Sequence, residues 1–209
     1  MSSTIDGRTF LVTGANTGIG RVTARQLADR GARVVLACRS AAKTQPVIDD
    51  IRATTGNDDV SFLELDLADL TSVRGAARTV LEGGEPLHVL VANAGLAGKR
   101  GVTSQGFELA FGTNHLGHFL FTTMLCDLLR SSASARVVVV SSDSHYQAKG
   151  IPFDDLRRST RSITGLREYA VSKLANVLFA QEMARRIPAS EVTTVALHPG
   201  VIASDVWRQ

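Results

Sequence analysis

Thr13-Gly14-Ala15-Asn16-Thr17-Gly18-Ile19-Gly20 decides how the chain is to be read. It follows a short apolar run, Phe10 to Val12. It opens a segment, Val22 to Arg30, in which Ala24, Leu27 and Ala28 recur at helical spacing while Arg21, Arg25 and Asp29 fall on the other side. The glycines therefore sit at a strand-to-helix turn. Gly14 permits the sharp exit from the strand, Gly18 lets backbone approach a pyrophosphate, and Gly20 lets the helix pack closely on the sheet. Unpaired N–H groups and the helix dipole at that N-terminus favour an anion. A tight turn without a ligand is the alternative reading. Placement at the first strand–helix junction favours a dinucleotide, with Gly14, Asn16, Thr17, Gly18, Ile19 and Gly20 as candidate contacts.

Further along, apolar runs recur at Val34 to Cys38, Phe62 to Leu65, Leu87 to Ala92, Arg136 to Val140 and Val192 to Leu197, separated by segments of helical period. Runs of β-branched residues without polar alternation suit strands buried on both faces. The alternation predicts an α/β fold of three αβα layers: a Rossmann-like, doubly wound parallel sheet in the order 3-2-1-4-5-6. We read residues 1–209 as one domain. Nothing follows the sixth run that could form a seventh strand, so the chain is expected to be cut short at its C-terminus, with the sixth strand an open edge.

The 209 residues are 44% hydrophobic and 21% charged, the composition of a globular protein with room for one sizeable core. The 23 basic and 20 acidic residues are scattered and leave a net charge of only +3, which argues against nucleic acid as a partner. Cys38 and Cys126 lie far apart without CxxC spacing and read as reduced thiols of a cytoplasmic protein. No signal peptide and no apolar run of bilayer length is seen, so no membrane partner is expected.

At the end of the second run an acid would hydrogen-bond the ribose 2′-hydroxyl of NAD and repel the 2′-phosphate of NADP. Cys38 stands there, followed by Arg39, whose guanidinium can fork onto a phosphate. The pair favours NADP(H) over NAD(H), although a lone arginine is also an ordinary solvated loop residue.

Tyr169 and Lys173 are at i and i+4 in Glu168-Tyr-Ala-Val-Ser-Lys173 and share a helix face. For a phenol to exchange protons near neutrality its pKa must drop about three units, roughly 4 kcal/mol. An ammonium at about 4 Å supplies on the order of 4 kcal/mol at an effective dielectric of about 20. The expectation is that Lys173 lowers the pKa of Tyr169.

Together these stretches resemble the short-chain dehydrogenase/reductase family from Thr13 to Gly200, most closely its retinol-dehydrogenase-like branch. The glycine turn is similar to the family's TGxxxGxG. Leu65-Asp66-Leu67 resembles its adenine-contacting segment, and Ala92-Asn93-Ala94-Gly95 its NNAG motif with alanine first. By that resemblance Asn114, Ser142, Tyr169 and Lys173 would form a catalytic tetrad. Asp66, Leu67, Asn93, Ala94, Gly95, Tyr169 and Lys173 would contact cofactor. His198-Pro199-Gly200-Val201 resembles the segment beside nicotinamide, with Pro199, Gly200, Val201 and Ser204 as further contacts. LeuAlaCysArg at 36–39, AsnHisLeuGlyHisPhe at 114–119 and SerLysLeuAlaAsnValLeuPhe at 172–179 carry the branch assignment. That branch generally uses NADP(H).

The resemblance implies an NADP(H)-dependent oxidoreductase passing a hydride between nicotinamide and a carbonyl or a primary or secondary alcohol carbon, with an apolar small-molecule substrate. Homo-oligomers are common in the family. A non-catalytic module that senses NADP(H) is the alternative. His115 and His118 are three apart, but without a third ligand no metal is assigned. Cys126 reads as a buried core thiol. The long stretch between Ser142 and Tyr169 is either a solvated insertion or a lid, with Ile151 to Leu156 covering the site.

Overall fold

The computed structural model describes residues 5–132 and 134–200. Six strands form one parallel sheet: β1 (Thr9–Thr13), β2 (Arg33–Cys38), β3 (Val60–Glu64), β4 (Val89–Ala92), β5 (Ala135–Val140) and β6 (Val192–Leu197), in the order β3-β2-β1-β4-β5-β6. Helices α1 (Gly18–Ala28), α2 (Ala41–Thr55) and α3 (Leu70–Gly83) make the first crossovers. After β4 come α4 (Leu109–Phe111), a π-helical turn (Gly112–Leu116), α5 (Gly117–Met124) and α6 (Cys126–Ser131). The long α7 (Leu166–Arg186) joins β5 to β6.

Two apolar clusters cover the two faces of the sheet, as a doubly wound arrangement requires. One joins Leu11, Val73, Leu90, Phe121, Leu125 and Val137. The other joins Phe10, Val12, Ala24, Val34, Ile48 and Ile51. β1, at the centre, is buried at every residue, which explains its uninterrupted apolar run. The outer strands depart from burial on both faces. Ser61 and Glu64 of β3 are exposed, as are Val195, Ala196 and Leu197 of β6, because each has a neighbouring strand on one side only among the described residues.

The reversal of strand order lies between β1 and β4, where the chain leaves the central strand in both directions. Such a reversal opens a crevice at the carboxyl ends of the strands. The glycine turn after β1, the Asn93–Gly95 loop after β4 and Ser142 after β5 all stand on that edge.

Candidate active site

The glycine turn is built for close approach. Gly14 has φ +65, a left-handed conformation that a side chain disfavours, and a Cβ there would come within 2.9 Å of Ala94. A Cβ on Gly20 would meet the Gly14 carbonyl oxygen at 2.5 Å and the Asn93 amide nitrogen at 2.7 Å. Gly20 thus packs α1 against the turn itself, closer in than the sheet contact expected. Thr17 caps α1 without a side-chain hydrogen bond, and the first turn carries no acid. Among the described residues, the opening N–H groups of this eleven-residue helix therefore have no acceptor in the Thr17 side chain or in a first-turn acid. This cradle fits a pyrophosphate.

Thr13, at the end of β1, joins the turn to the next loop. Its hydroxyl accepts from the N–H groups of Asn93 and Ala94 at 3.0 and 2.9 Å, and the Asn93 amide donates back to the Thr13 carbonyl at 2.9 Å. Asp66 and Leu67 follow β3. The Asp66 carboxylate accepts from the Ala68 N–H at 2.9 Å, and Leu67 is buried. Cys38 closes β2 as a buried thiol whose pKa is raised by burial, against hydrogen bonds from Thr44 and the Gly14–Asn16 backbone. Arg39 beside it is exposed and makes no ion pair among the described residues. Pro199 and Gly200 follow β6, where His198 Nδ1 lies 3.0 Å from the Asp143 carboxylate and ties that end to the residue after Ser142. Val201 and Ser204 lie outside the described residues.

The four candidate tetrad residues come from three elements and converge. Asn114 is fully buried in the π-helical turn. Its Oδ1 accepts from the Leu96 N–H at 2.9 Å, while its amide nitrogen donates to the Leu96 carbonyl and to Ser172 Oγ, both at 3.0 Å. Ser172 donates in turn to the Tyr169 carbonyl at 2.7 Å. Ser141 Oγ donates to the Lys173 carbonyl at 2.8 Å and pins α7 to the end of β5. Ser142, next to it, hydrogen-bonds the Tyr169 phenol. The Lys173 ammonium lies 5.6 Å from the centre of the Tyr169 ring and donates to the Val140 carbonyl at 2.9 Å. A Cβ on Gly95 would stand 3.4 Å from Asn114 Oδ1 and 3.5 Å from Lys173 Nζ, so the loop after β4 borders both groups.

The electrostatics correct the simple picture of ammonium acting on phenol. Burial raises the Tyr169 pKa, with the Ser142 hydrogen bond pulling the other way. Burial also lowers the pKa of Lys173 to about 8. Desolvation of both groups outweighs their attraction across this distance, so within the polypeptide Lys173 does not set the phenol below its ordinary range. An ammonium with three donors and, among the described residues, one hydrogen-bond acceptor in Val140 fits a ligand's hydroxyls.

The remaining expectations divide. His115 and His118 have separate tasks: His115 Nδ1 donates to Asn176 Oδ1 at 3.1 Å among the rings of Phe111, Phe119 and Phe179, whereas His118 points inward. Cys126 is half-buried rather than buried, because the helix breaks at Leu125 and Cys126 opens α6. Ile151 and Leu156, in the stretch read as either a lid or a solvated insertion, pack on Phe111, Val171 and Ala175. Their segment is tied down by Glu108 N–H to the Leu156 carbonyl at 2.8 Å and by Thr160 Oγ to the buried Glu108 carboxylate at 2.5 Å. Phe153 stays exposed. Sequence reasoning missed Thr13, Ser141, Ser172, Asn176 and His118 as parts of this network. The polar Ser172 and Asn176 inside a buried helix face were the available signal.

This fold and crevice define a nucleotide-binding α/β protein, and the chain belongs to the short-chain dehydrogenase family, whose model matches residues 8–152. It is 47% identical to human retinol dehydrogenase 12 over 98% of its own length and 64% of that protein's. The chain thus spans just under two thirds of the length of that curated relative. A solved structure from Mycobacterium paratuberculosis is 40% identical, with a TM-score of 0.79, over 94% of this chain and 69% of that one. The Pseudomonas aeruginosa RhlG/NADP active-site complex is 26% identical, with a TM-score of 0.77, over 98% of this chain and 77% of that one. Among the described residues no helix is long and apolar enough to cross a membrane.

Proposed function

We propose that the chain is the nucleotide-binding and catalytic part of an NADP(H)-dependent oxidoreductase that interconverts an apolar aldehyde or ketone and its alcohol. The observation that carries this is the meeting of Ser142, Tyr169, Lys173 and Asn114 on the edge of the sheet that also bears the anion-binding turn. The retinol dehydrogenase relatives support the substrate class, and the NADP complex of a relative, with Arg39 and the absent acid at Cys38, supports the cofactor. The two free thiols go with a cytoplasmic setting.

When bound, the nicotinamide supplies or takes the hydride. Tyr169 gives its phenolic proton to the oxygen of the carbonyl being reduced, and takes it back in the reverse direction. Ser142, already bonded to that phenol, holds the same oxygen and stabilises its developing charge. Lys173 holds the nicotinamide-side ribose with the donors that Val140 leaves free. Asn114 keeps the Leu96 backbone and the Ser172–Tyr169 link in register. The anion cradle at Gly14 to Gly20 takes the pyrophosphate, and Arg39 the 2′-phosphate.

The test is NADPH oxidation with a panel that includes decanal, benzaldehyde and retinal, on the chain and its Tyr169→Phe variant. Turnover by the parent and a loss of 100-fold or more in the variant, with NADPH binding retained, is the expected result. NADPH binding without turnover on any carbonyl would favour the sensor reading.

A further inference from the structure

His118 on α5 is 2% exposed and has no part in the mechanism above. Its Nδ1 lies 2.9 Å from the Asn114 carbonyl oxygen. A carbonyl only accepts, so Nδ1 carries the proton. Burial, opposed by the bond to the Asn114 carbonyl and aided by the nearby Lys173 charge, holds the imidazole pKa at about 4, and the ring is neutral at ordinary pH. Nε2 is then a bare acceptor. Thr13 Oγ stands 2.8 Å from it. Both lone pairs of that hydroxyl are engaged by the N–H groups of Asn93 and Ala94, so its single proton is all it has left to give. The Val91 carbonyl, at 3.4 Å, is the more distant claimant.

The directions of these bonds are therefore fixed by counting donors and acceptors. On one side His118 completes the hydroxyl that organises the Asn93–Gly95 loop. On the other it holds the carbonyl of Asn114 within a turn that lacks regular α-helical geometry. We infer that His118 is a positioning residue that couples the cofactor-side loop after β4 to the backbone of Asn114, and this rests on the functional reading of the site above.

The two nitrogens can be tested separately. An asparagine amide reaches where Nδ1 stands, and a glutamine amide reaches where Nε2 stands. In the full chain, His118→Gln keeps an acceptor for Thr13 and loses the bond to Asn114. His118→Asn does the reverse, and His118→Leu loses both. The readouts are NADPH Kd by fluorescence titration, kcat with decanal, and melting temperature. His118→Gln is expected to lose more in kcat than in Kd, and His118→Asn more in Kd than in kcat. His118→Leu is expected to lose about tenfold in each. Losses in all three variants that are equal in Kd and kcat and follow the melting temperature would overturn the inference, as would an unaffected leucine variant. Nitrogen NMR of the parent chain, labelled at histidine, reads the tautomer without any turnover. A protonated Nδ1 with a bare Nε2 is expected, and the opposite tautomer overturns the inference. Absence of decanal reduction by the parent would count against the oxidoreductase reading, while the tautomer and Kd still decide the role of His118.

Discussion

Lys173 donates to the Val140 carbonyl at 2.9 Å from a position that leaves it 3% exposed. The ammonium is held at the end of β5 in a place where its charge is poorly solvated, and this lowers its pKa to about 8. The site keeps a costly charge, and the cost can be measured.

Replacing Lys173 by Met should stabilise the protein while abolishing turnover. Near neutral pH the displaced pKa corresponds to about 3 kcal/mol of destabilisation. The lost hydrogen bond to Val140 returns part of it, leaving a net gain of about 1–3 kcal/mol. The unfolded chain binds more protons than the native one between pH 8 and the ordinary lysine value, so parental stability rises with pH through that window. The gap between parent and variant should therefore be full below about pH 8 and close above it, as read by urea unfolding at a series of pH values.

Arg39→Ala should weaken NADPH binding about tenfold and leave NADH binding unchanged, since the charge-assisted bonds in question reach only the 2′-phosphate. Arg39 is exposed, so folding is not at stake. Parallel titration of the two cofactors checks it, and an equal effect on both would remove Arg39 from the specificity argument.

Gly20→Ala puts a methyl against the Gly14 carbonyl oxygen and the Asn93 amide. Both belong to the turn or to the loop locked to it, so neither can yield cheaply. We expect a loss of about 1–3 kcal/mol in stability together with most of the NADPH affinity, measured by thermal melting and titration.

Thr160→Val should destabilise by about 1–3 kcal/mol, because it strips the buried Glu108 carboxylate and the Gly101 N–H of a partner. Thr160→Ser should restore most of the loss. Limited proteolysis should then cut the Val variant first between Gly150 and Thr164, where the segment is held to α4 by the Thr160 and Leu156 contacts and keeps the Arg161 and Ser162 bonds to Glu168 and the packing of Ile151 and Leu156 on its α7 side.

The sheet was legible because its strands are runs such as Arg136 to Val140, and because the glycine turn marks where the first strand ends and the first helix opens. The Tyr169–Lys173 pair was legible for a related reason: helix geometry fixes what lies four residues away. What stayed hidden depends on distant partners. Thr13 and His118 are 105 residues apart, and nothing local in either marks the bond between them. The half-exposed faces of β3 and β6 follow from their places in the sheet, which their own residues do not encode. The direction of the Tyr169 shift within the polypeptide differs from the one that spacing implies, because spacing reports a neighbour's charge and says nothing of how much water both groups have lost.

The π-helical turn at Gly112–Leu116 is held between two tight contacts: a side chain on Gly112 would collide with Thr103, and one on Gly117 would meet the Leu67 carbonyl at 2.5 Å. Ordinary helix engineering, which would delete one residue here to regularise the spiral, would swing everything downstream by about a quarter of a revolution. Phe121 and Leu125 would leave the core, and His118 would turn away from Thr13. Length variation is thus tolerable in the exposed stretch around Phe153 and intolerable in these five positions, so insertions or deletions recovered from a random library should accumulate in the first and be missing from the second.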